Sequence, residues 1–230
     1  MNYLPSFSIL ISGICMLALV IYPNLDYCVF AFFHQKNQGF THANNQVVRL
    51  LHLSIPWLSK LFFLSIIIAM IHTLWKNKSL KKLASSYLSY LLVACIIGPG
   101  IIVNYLFKGH FGRARPSQIL DFGGLKKFSP AFKISDQCLT NCSFSSGHAA
   151  MAFYFTSLAY ALLLEKNNST TLLNKFSCTT IYIIFIIFGC LVSLSRILMG
   201  GHFLSDVITS CFVVLTINHL LYIYWKNLRG

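Results

Sequence analysis

Long apolar stretches separated by short polar segments are the dominant pattern along this sequence. A helix needs about 20 mostly apolar residues to cross the hydrocarbon core of a bilayer, and several stretches approach or exceed that length. The pattern therefore predicts an all-α, polytopic membrane protein that forms one domain over residues 1–230. The six predicted transmembrane helices cover residues 3–22, 56–75, 85–107, 149–164, 177–195 and 203–225.

Two segments complicate this pattern. Gly98-Pro99-Gly100 interrupts the third span and predicts a kink, which is tolerable where neighbouring helices satisfy the freed backbone groups. Residues 45–60 alternate apolar and polar residues near helical spacing. They are either an amphipathic segment lying in the outer interface or an irregular start to the second span. The first apolar stretch lacks the basic leader and cleavage site of a signal peptide, so we expect it to be retained.

Composition supports the membrane prediction. Apolar residues make up 56% of the chain, charged residues 10%, and the mean hydropathy is +0.68, values too apolar for a soluble domain. The net charge of +13 comes from 18 Lys and Arg against five Asp and Glu. A basic protein can bind nucleic acid, but no hydrophilic domain carries these charges. We therefore expect the bilayer and an anionic lipid as partners, and no nucleic acid.

Basic residues in the loops predict the orientation, because cytoplasmic loops carry an excess of Lys and Arg. The second-to-third loop, the fourth-to-fifth loop and the C-terminal segment fall on one side of a six-span arrangement. That side is predicted to be cytoplasmic, together with both termini. Its cations are Lys76, Lys78, Lys81, Lys82, Lys166, Lys175, Lys226 and Arg229.

Three polar patches border the predicted spans on the opposite, non-cytoplasmic side. The first patch is residues 108–116, the second is residues 145–148 and the third is residues 195–206. Charge is costly to place near lipid, so these patches indicate a functional site. Together they hold two histidines, one carboxylate and several cations, which suits the handling of a phosphate ester. Three further cations on this side run against the positive-inside rule: Lys126, Lys127 and Lys133.

The histidines have an arrangement that suits catalysis. His202 and Asp206 are four residues apart, so on a helix the carboxylate would accept a hydrogen bond from one ring nitrogen and leave the other as nucleophile or base. Asp206 is also the only acid that we predict inside or beside a span. His148 follows Ser146 and Gly147 at a predicted helix start, where backbone N–H groups can face an anion.

Each of these residues alone also has a structural interpretation. A single histidine at a membrane edge is more often a packing residue than a catalytic one. Lys108 could extend its amine to the interface, Arg196 could anchor a helix end, and Ser146 could be a helix cap. Their joint occurrence on one side of the membrane favours a phosphate site.

Cys138 and Cys142 lie four residues apart in the longest polar loop. If that loop faces an oxidising compartment, a disulfide is the leading interpretation. Zinc binding is the weaker alternative, because it needs two more ligands nearby.

The patches resemble the three-part signature of the type-2 phosphatidic acid phosphatase (PAP2) superfamily: Lys-x6-Arg-Pro, Pro-Ser-Gly-His and Ser-Arg-x5-His-x3-Asp. The first and third patches match in full spacing, and Ser145 stands where the family has a proline that shapes a turn. The resemblance implies a metal-independent phosphoric monoester hydrolase that needs no cofactor. The five scattered acids also offer no carboxylate cluster for magnesium.

The resemblance further implies a role for each residue. His202 would attack phosphorus and form a phosphohistidine, with Asp206 holding its ring. His148 would protonate the leaving oxygen and then activate water. The groups that would stabilise charge on the phosphoryl oxygens are Lys108, Arg115, Arg196 and the backbone of Ser146 and Gly147.

Within the superfamily, the chain most resembles the bacterial lipid A phosphatases. The resemblance lies in Gly98-Pro99-Gly100 with Val103-Asn104-Tyr105, and in the Cys-x3-Cys loop before the second patch. It implies a bacterial inner-membrane enzyme with a periplasmic active site, and it leaves the 1- and 4′-phosphates of lipid A open. Alternatives are an undecaprenyl pyrophosphate or phosphatidylglycerophosphate phosphatase, and a non-catalytic binder or carrier of lipid phosphates. The oligomeric state is left open.

Overall fold

The structure is a computed structural model that describes residues 3–35, 39–165 and 172–229. Within these ranges the chain forms helices and two isolated β-bridges, and no strand. In the same ranges, six helices are long and apolar enough to cross a membrane, which confirms the predicted spans. Lys166, which we predict to be cytoplasmic, lies outside the described residues. The orientation stays a prediction.

Helices and short turns follow one another along the described part of the chain. Short 3₁₀ turns at Thr41–Asn44, Pro116–Gln118 and Leu120–Phe122 lie in the connections. The third span begins as the helix Tyr87–Cys95 and continues through a wider π-helical segment, Ile96–Phe107, into a last turn, Lys108–His110. The α-helices are α1 Leu4–Ile21, α2 Asn24–Phe33, α3 Gln46–Asn77, α4 Leu80–Ala84, α5 Tyr87–Cys95, α6 Gly147–Tyr154, α7 Ser157–Glu165, α8 Leu172–Leu198 and α9 Leu204–Arg229.

The predicted kink in the third span is a change of helix type. Pro99 cannot donate a backbone hydrogen bond, and the helix adapts by widening to a π-helix from Ile96 onward. The Asn104 side-chain amide donates to the Pro99 carbonyl oxygen at 2.7 Å. The chain therefore stays helical as far as the first patch.

Residues 46–60 are the first half of α3 rather than a separate interfacial helix. The Asn45 side chain caps the helix by accepting from Val47 N at 2.9 Å, and the helix continues through Pro56. The irregular start of the span is thus the correct interpretation, and the span begins about ten residues earlier than predicted. At 1.5 Å per residue α3 is about 48 Å long, so it extends well past a ~30 Å hydrocarbon core.

The core of the bundle forms around α9, which packs against α1, α6, α7 and the third span, while α8 packs against α3, α6 and α7. Buried tyrosines bond to backbone oxygens inside this core. Tyr90 donates to the Asn218 carbonyl at 3.1 Å, and Tyr154 donates to the Leu91 carbonyl at 2.8 Å. Such bonds matter in a membrane because no water is present to satisfy a polar group.

A buried ionic cluster ties α2 to α9 through the first patch. Arg113 contacts Asp26 of α2 at 2.9 Å and Asp206 of α9 at 2.6 Å, and all three side chains are at most 1% exposed. The guanidinium also donates to the Ser129 carbonyl at 2.7 Å and lies 4.0 Å from the centre of the Phe203 ring. These contacts satisfy three sides of one buried cation.

Asp26 corrects the prediction that Asp206 is the only acid inside or beside a span. Asp26 lies on α2, a ten-residue apolar helix too short to be predicted as a span. Burial raises the pKa of Asp26, while the neighbouring Arg113 opposes the shift. Its carboxylate also accepts from the Ser205 backbone N–H at 2.8 Å and from the Ser205 hydroxyl, which fastens α2 to the start of α9.

Replacing Arg113 with alanine is predicted to lower the free energy of unfolding by about 3–5 kcal/mol, because it leaves two buried carboxylates without a cation. Unfolding of purified protein in mixed micelles of increasing sodium dodecyl sulfate content measures this loss. Arg49→Ala, at an exposed position of α3, is the matched control and should change stability by less than about 0.5 kcal/mol. Equal stability of the two variants would contradict the role of Arg113.

Candidate active site

The three polar patches meet at one end of the bundle. The Ser117 N–H, just after the first patch, donates to the Gly200 carbonyl of the third patch at 3.0 Å. The Ser146 N–H of the second patch donates to the Asp206 carbonyl of the third at 3.3 Å. Residues far apart in sequence are therefore joined by backbone hydrogen bonds into one polar site.

His202 lies in the turn between α8 and α9, and it is fully buried. Its Nδ1 lies 2.7 Å from the Ser143 carbonyl oxygen. A carbonyl only accepts, so Nδ1 carries the hydrogen and Nε2 carries the lone pair. Among the described residues, Nε2 has no hydrogen-bond partner. The ring is thus held in the form that can act as a nucleophile.

Asp206 lies beside the His202 ring, but the predicted direct hydrogen bond is not formed. Its Oδ2 is 3.7 Å from His202 Nδ1, which is too long for a hydrogen bond. The prediction assumed that both residues lie on one helix, but α9 begins at Leu204 and His202 precedes it. Asp206 is instead the third residue of α9, and its carboxylate turns back to accept from the Phe203 N–H at 2.8 Å.

Ser143 links the two residues. Its carbonyl oxygen accepts a hydrogen bond from His202 Nδ1, and its hydroxyl donates to Asp206 Oδ2 at 2.5 Å. Asp206 thus positions the histidine through the Ser143 backbone. The remaining carboxylate oxygen of Asp206 faces Arg113.

The surroundings of His202 keep its ring neutral. Burial lowers the pKa of His202 to about 4, and the positive charges of Arg196 and Lys108 act in the same direction. The Asp206 carboxylate opposes these effects only in part. Near neutral pH the Nε2 lone pair is therefore available.

The second patch forms the N-terminus of α6. Ser146 is the N-cap, with its hydroxyl 3.4 Å from Ala149 N, as its structural interpretation anticipated. A Cβ at Gly147 would come within 2.8 Å of the Asn104 Oδ1 atom, so a larger residue here would displace the Asn104 side chain of the third span. His148 follows in the first turn, and within the described part of the chain its buried Nε2 has no hydrogen-bond partner.

The predicted phosphate-binding cations border the same site. Lys108 is half-buried beside a cleft of about 400 Å³, and Arg115 donates to the Asn141 carbonyl at 3.0 and 3.2 Å. Burial lowers the pKa of Arg115, and nearby Asp206 opposes the shift. Over residues 3–35, 39–165 and 172–229, the ion pairs involve Arg113 and His202, so Lys108, Arg115 and Arg196 have no carboxylate partner.

Cys138 and Cys142 form a disulfide, with their Cα atoms 5.5 Å apart. The closed loop contains Asn141, whose carbonyl holds Arg115. Ser143 directly follows the closed loop, and its carbonyl oxygen accepts a hydrogen bond from His202 Nδ1. The disulfide loop therefore supports two candidate site residues directly. Across the described ranges, no three His, Cys, Asp or Glu side chains group to hold a metal ion.

Sequence reasoning missed four residues that shape this site: Arg113, Asp26, Ser143 and His52. The cost of burying charge points to the first two, because Arg113 lies inside the first patch and Asp26 follows a span by one turn. Ser143 acts through its carbonyl, and a backbone group leaves no pattern in the sequence. His52 lies on α3, far in sequence from every patch.

Comparison with known proteins shows that this chain is similar to phosphatases. The family model described as the PAP2 superfamily matches residues 83–229. A lipid A 4′-phosphatase of Francisella tularensis subsp. novicida (strain U112) is 32% identical over 200 residues, which cover 85% of each chain. A lipid A 4′-phosphatase of Rhizobium etli is 36% identical over 116 residues, covering 50% of this chain and 41% of that relative.

A solved structure shares the fold. It is the first transmembrane PAP2 type phosphatidylglycerolphosphate phosphatase from Bacillus subtilis, with a TM-score of 0.56 and 19% sequence identity. The alignment covers 98% of this chain and 97% of that one. At this identity the likeness concerns the fold alone.

The neutral ring of His202 predicts how stability depends on pH. In the folded protein the ring stays neutral down to about pH 4, whereas in the unfolded chain it takes up a proton near pH 6.5. The unfolded state therefore binds more protons between these values, and the melting temperature should fall as pH drops from 6.5 to 4.

Thermal unfolding in detergent at several pH values measures this dependence. His202→Asn should show a shallower fall than the parent protein, because the titrating ring is gone. His72→Asn, at an exposed position of α3, should keep the parent slope. If His202→Asn and the parent protein fall in parallel, the histidine is not neutral in the fold.

Proposed function

The chain belongs to the PAP2 superfamily and is a membrane lipid phosphatase, and from this premise we propose that it removes the 4′-phosphate of lipid A. The relative that spans 85% of this chain carries that activity in its name, and so do two shorter matches. We further propose that the enzyme lies in the bacterial inner membrane with its active site facing the periplasm. A disulfide next to the site suits that oxidising compartment.

One observation carries the assignment of the site. Two histidine Nε2 atoms, of His148 and His202, are buried and unpartnered among the described residues. Lys108, Arg115 and Arg196 lie around them without a carboxylate partner in that part of the chain. A buried polar atom without a partner is costly, and so is unpaired charge. A phosphate group would satisfy both, because its oxygens bind the cations and its phosphorus faces a nitrogen lone pair.

We assign the first chemical step to His202 and His148. Nε2 of His202 attacks phosphorus and forms the N–P bond, while the bond from phosphorus to the sugar oxygen breaks. His148, holding a proton when the phosphate enters, transfers it to the departing oxygen. Lys108, Arg115 and Arg196 stabilise the negative charge on the three remaining phosphoryl oxygens during this transfer.

The second step reverses these roles. His148, now neutral, accepts a proton from a water molecule whose oxygen attacks the phosphohistidine. The N–P bond breaks, inorganic phosphate leaves, and His202 recovers its Nε2 lone pair. Throughout both steps, the Ser143 carbonyl keeps the opposite nitrogen, Nδ1, protonated and fixes the ring.

The surroundings of the site suit a large anionic headgroup. Lys126, Lys127 and Lys133 are exposed in the loop that leads from the first patch to the second. A sugar headgroup with two phosphates presents more negative charge than the catalytic site alone would hold. Basic residues at a membrane surface attract such headgroups.

The substrate is tested by measuring phosphate release from purified full-length protein in detergent. The lipids compared are lipid A with both phosphates, undecaprenyl pyrophosphate and phosphatidylglycerophosphate. We expect a preference for lipid A, with a product that has lost its 4′-phosphate by fragmentation mass spectrometry. His202→Ala should reduce release by at least about 1,000-fold, because the nucleophile is lost, while the protein stays folded. His72→Ala is the matched control and should retain full activity.

Other outcomes separate the alternatives. Preference for undecaprenyl pyrophosphate or phosphatidylglycerophosphate would overturn the substrate, and loss of the 1-phosphate would overturn the position. Binding of lipid A without phosphate release by the unmodified protein would indicate a binder or carrier. Full turnover by His202→Ala would exclude the covalent mechanism.

The disulfide loop yields a separate prediction about activity. Opening the Cys138–Cys142 bond loosens the loop that bonds to Arg115 and leads to Ser143, the partner of His202. Even a small displacement of catalytic groups lowers the reaction rate strongly. Cys138→Ser/Cys142→Ser should therefore lower kcat/KM by about 10- to 100-fold, as should reductant treatment of the parent protein. Cys190→Ser, at an exposed position of α8, is the control. Unchanged activity in the double variant would show that the bond does not support the site.

A further inference from the structure

His52 lies on α3, outside residues 83–229 that the PAP2 family model matches. The extra length of α3 beyond a bilayer core brings this residue to the level of the polar patches. Its half-buried ring contacts two candidate site residues, Arg196 and His148, which come from α8 and α6. A histidine between these two side chains can restrict the position of both.

The contact with Arg196 has a defined direction. Arg196 Nη1 lies 2.9 Å from His52 Nδ1. An arginine only donates, so Nδ1 of His52 accepts, and His52 is neutral with its hydrogen on Nε2. A protonated His52 would have no lone pair to offer and would repel the guanidinium.

His52 is one of three groups that surround the Arg196 guanidinium. The Nη1 atom also contacts the Met199 sulfur at 3.5 Å, and the other terminal nitrogen packs on Gly201, where a Cβ would lie 2.4 Å away. Arg196 Nε is buried and has no partner among the residues that the structure describes. His52 thus occupies one edge of the guanidinium, and the Nε atom is left for a phosphate oxygen.

The contact with His148 is between two tilted rings. The ring centres are 4.5 Å apart and the planes are inclined by 34°, so the rings pack against each other without lying parallel. His148 is on the first turn of α6, and this turn alone would leave its ring free to rotate about the side-chain bonds. The His52 ring restricts that rotation.

We propose that His52 is a positioning residue of the phosphoryl-transfer site, which holds the Arg196 guanidinium through Nδ1 and orients the His148 ring by packing against it. The proposal rests on the function proposed above, because both partners act there on the phosphate. His52 touches neither phosphorus nor the leaving oxygen in this role. It sets the angle and distance at which one cation and one acid meet the substrate.

A set of three variants separates the two contacts. His52→Phe keeps a ring for packing but lacks the acceptor. His52→Asn keeps an acceptor near the position of Nδ1 but lacks the ring. His52→Ala loses both. His72→Ala, an exposed histidine about 30 Å further along α3, is the matched control.

We expect His52→Ala to lower kcat by about 10- to 100-fold with a smaller change in KM, as the loss of one hydrogen bond to a charged group predicts. His52→Phe and His52→Asn should each fall between His52→Ala and the parent protein. The control should match the parent. Activity is measured on the best lipid of the substrate comparison, with the folded fraction checked by thermal unfolding.

Inhibition by orthovanadate distinguishes positioning from a purely structural role. Vanadate adopts the five-coordinate geometry of phosphoryl transfer, so its inhibition constant reports the arrangement of groups around phosphorus. The constant should rise in the His52 variants by about the same factor as kcat/KM falls. A structural role would instead lower the active fraction and leave the constant of the remaining enzyme unchanged.

The outcomes also separate this proposal from the proposed function. If the parent protein releases phosphate and His52→Ala matches it in kcat and vanadate inhibition, His52 has no positioning role. Lower activity with an unchanged vanadate constant overturns the proposal equally. If the parent protein releases no phosphate from any lipid while remaining folded, the proposed function itself is wrong.

Discussion

The paired contact of Arg113 with Asp26 and Asp206 is the constraint on which the site depends. A buried ion pair gains little stability by itself, but it is costly to break and it permits few geometries. Here one planar guanidinium must reach a carboxylate on α2 and another on α9. That requirement fixes the first patch against the start of α9. Asp206, once fixed, orders Ser143, and Ser143 holds the ring of His202, the proposed nucleophile.

The fold therefore separates two kinds of basic residue at the same membrane edge. Arg113 is fully paired and serves the architecture. Lys108, Arg115 and Arg196 border the same site and have no carboxylate partner among the described residues. Neighbouring cations repel one another. In the proposed function a bound phosphate relieves that repulsion, so part of the free-energy cost of placing charge near lipid is recovered when the substrate binds.

The sequence predicts much of this arrangement but not its connections. The six spans follow from the apolar stretches, because the bilayer leaves a spanning chain few alternatives to a helix. The residues of the three patches follow from the cost of charge near lipid. His202 and Asp206 are 3.7 Å apart rather than joined by the predicted hydrogen bond, because α9 begins only at Leu204, a boundary that the sequence does not mark. The Ser143 carbonyl and the His52 ring depend on tertiary packing, which local spacing does not encode.

The place of His52 suggests why α3 is longer than a span requires. The three patches hold the groups that we propose to act on phosphate, but they offer Arg196 Nη1 only the Met199 sulfur among the described residues, and the His148 ring needs a further contact to be oriented. Both needs are met by one side chain on the extended part of α3, at 2.9 Å from the first and with ring centres 4.5 Å from the second. A neutral imidazole suits this position better than a carboxylate, which would pair with Arg196 and compete with the phosphate. The N-terminal helices thus contribute to the site by holding its charged groups while leaving their charge free for the substrate.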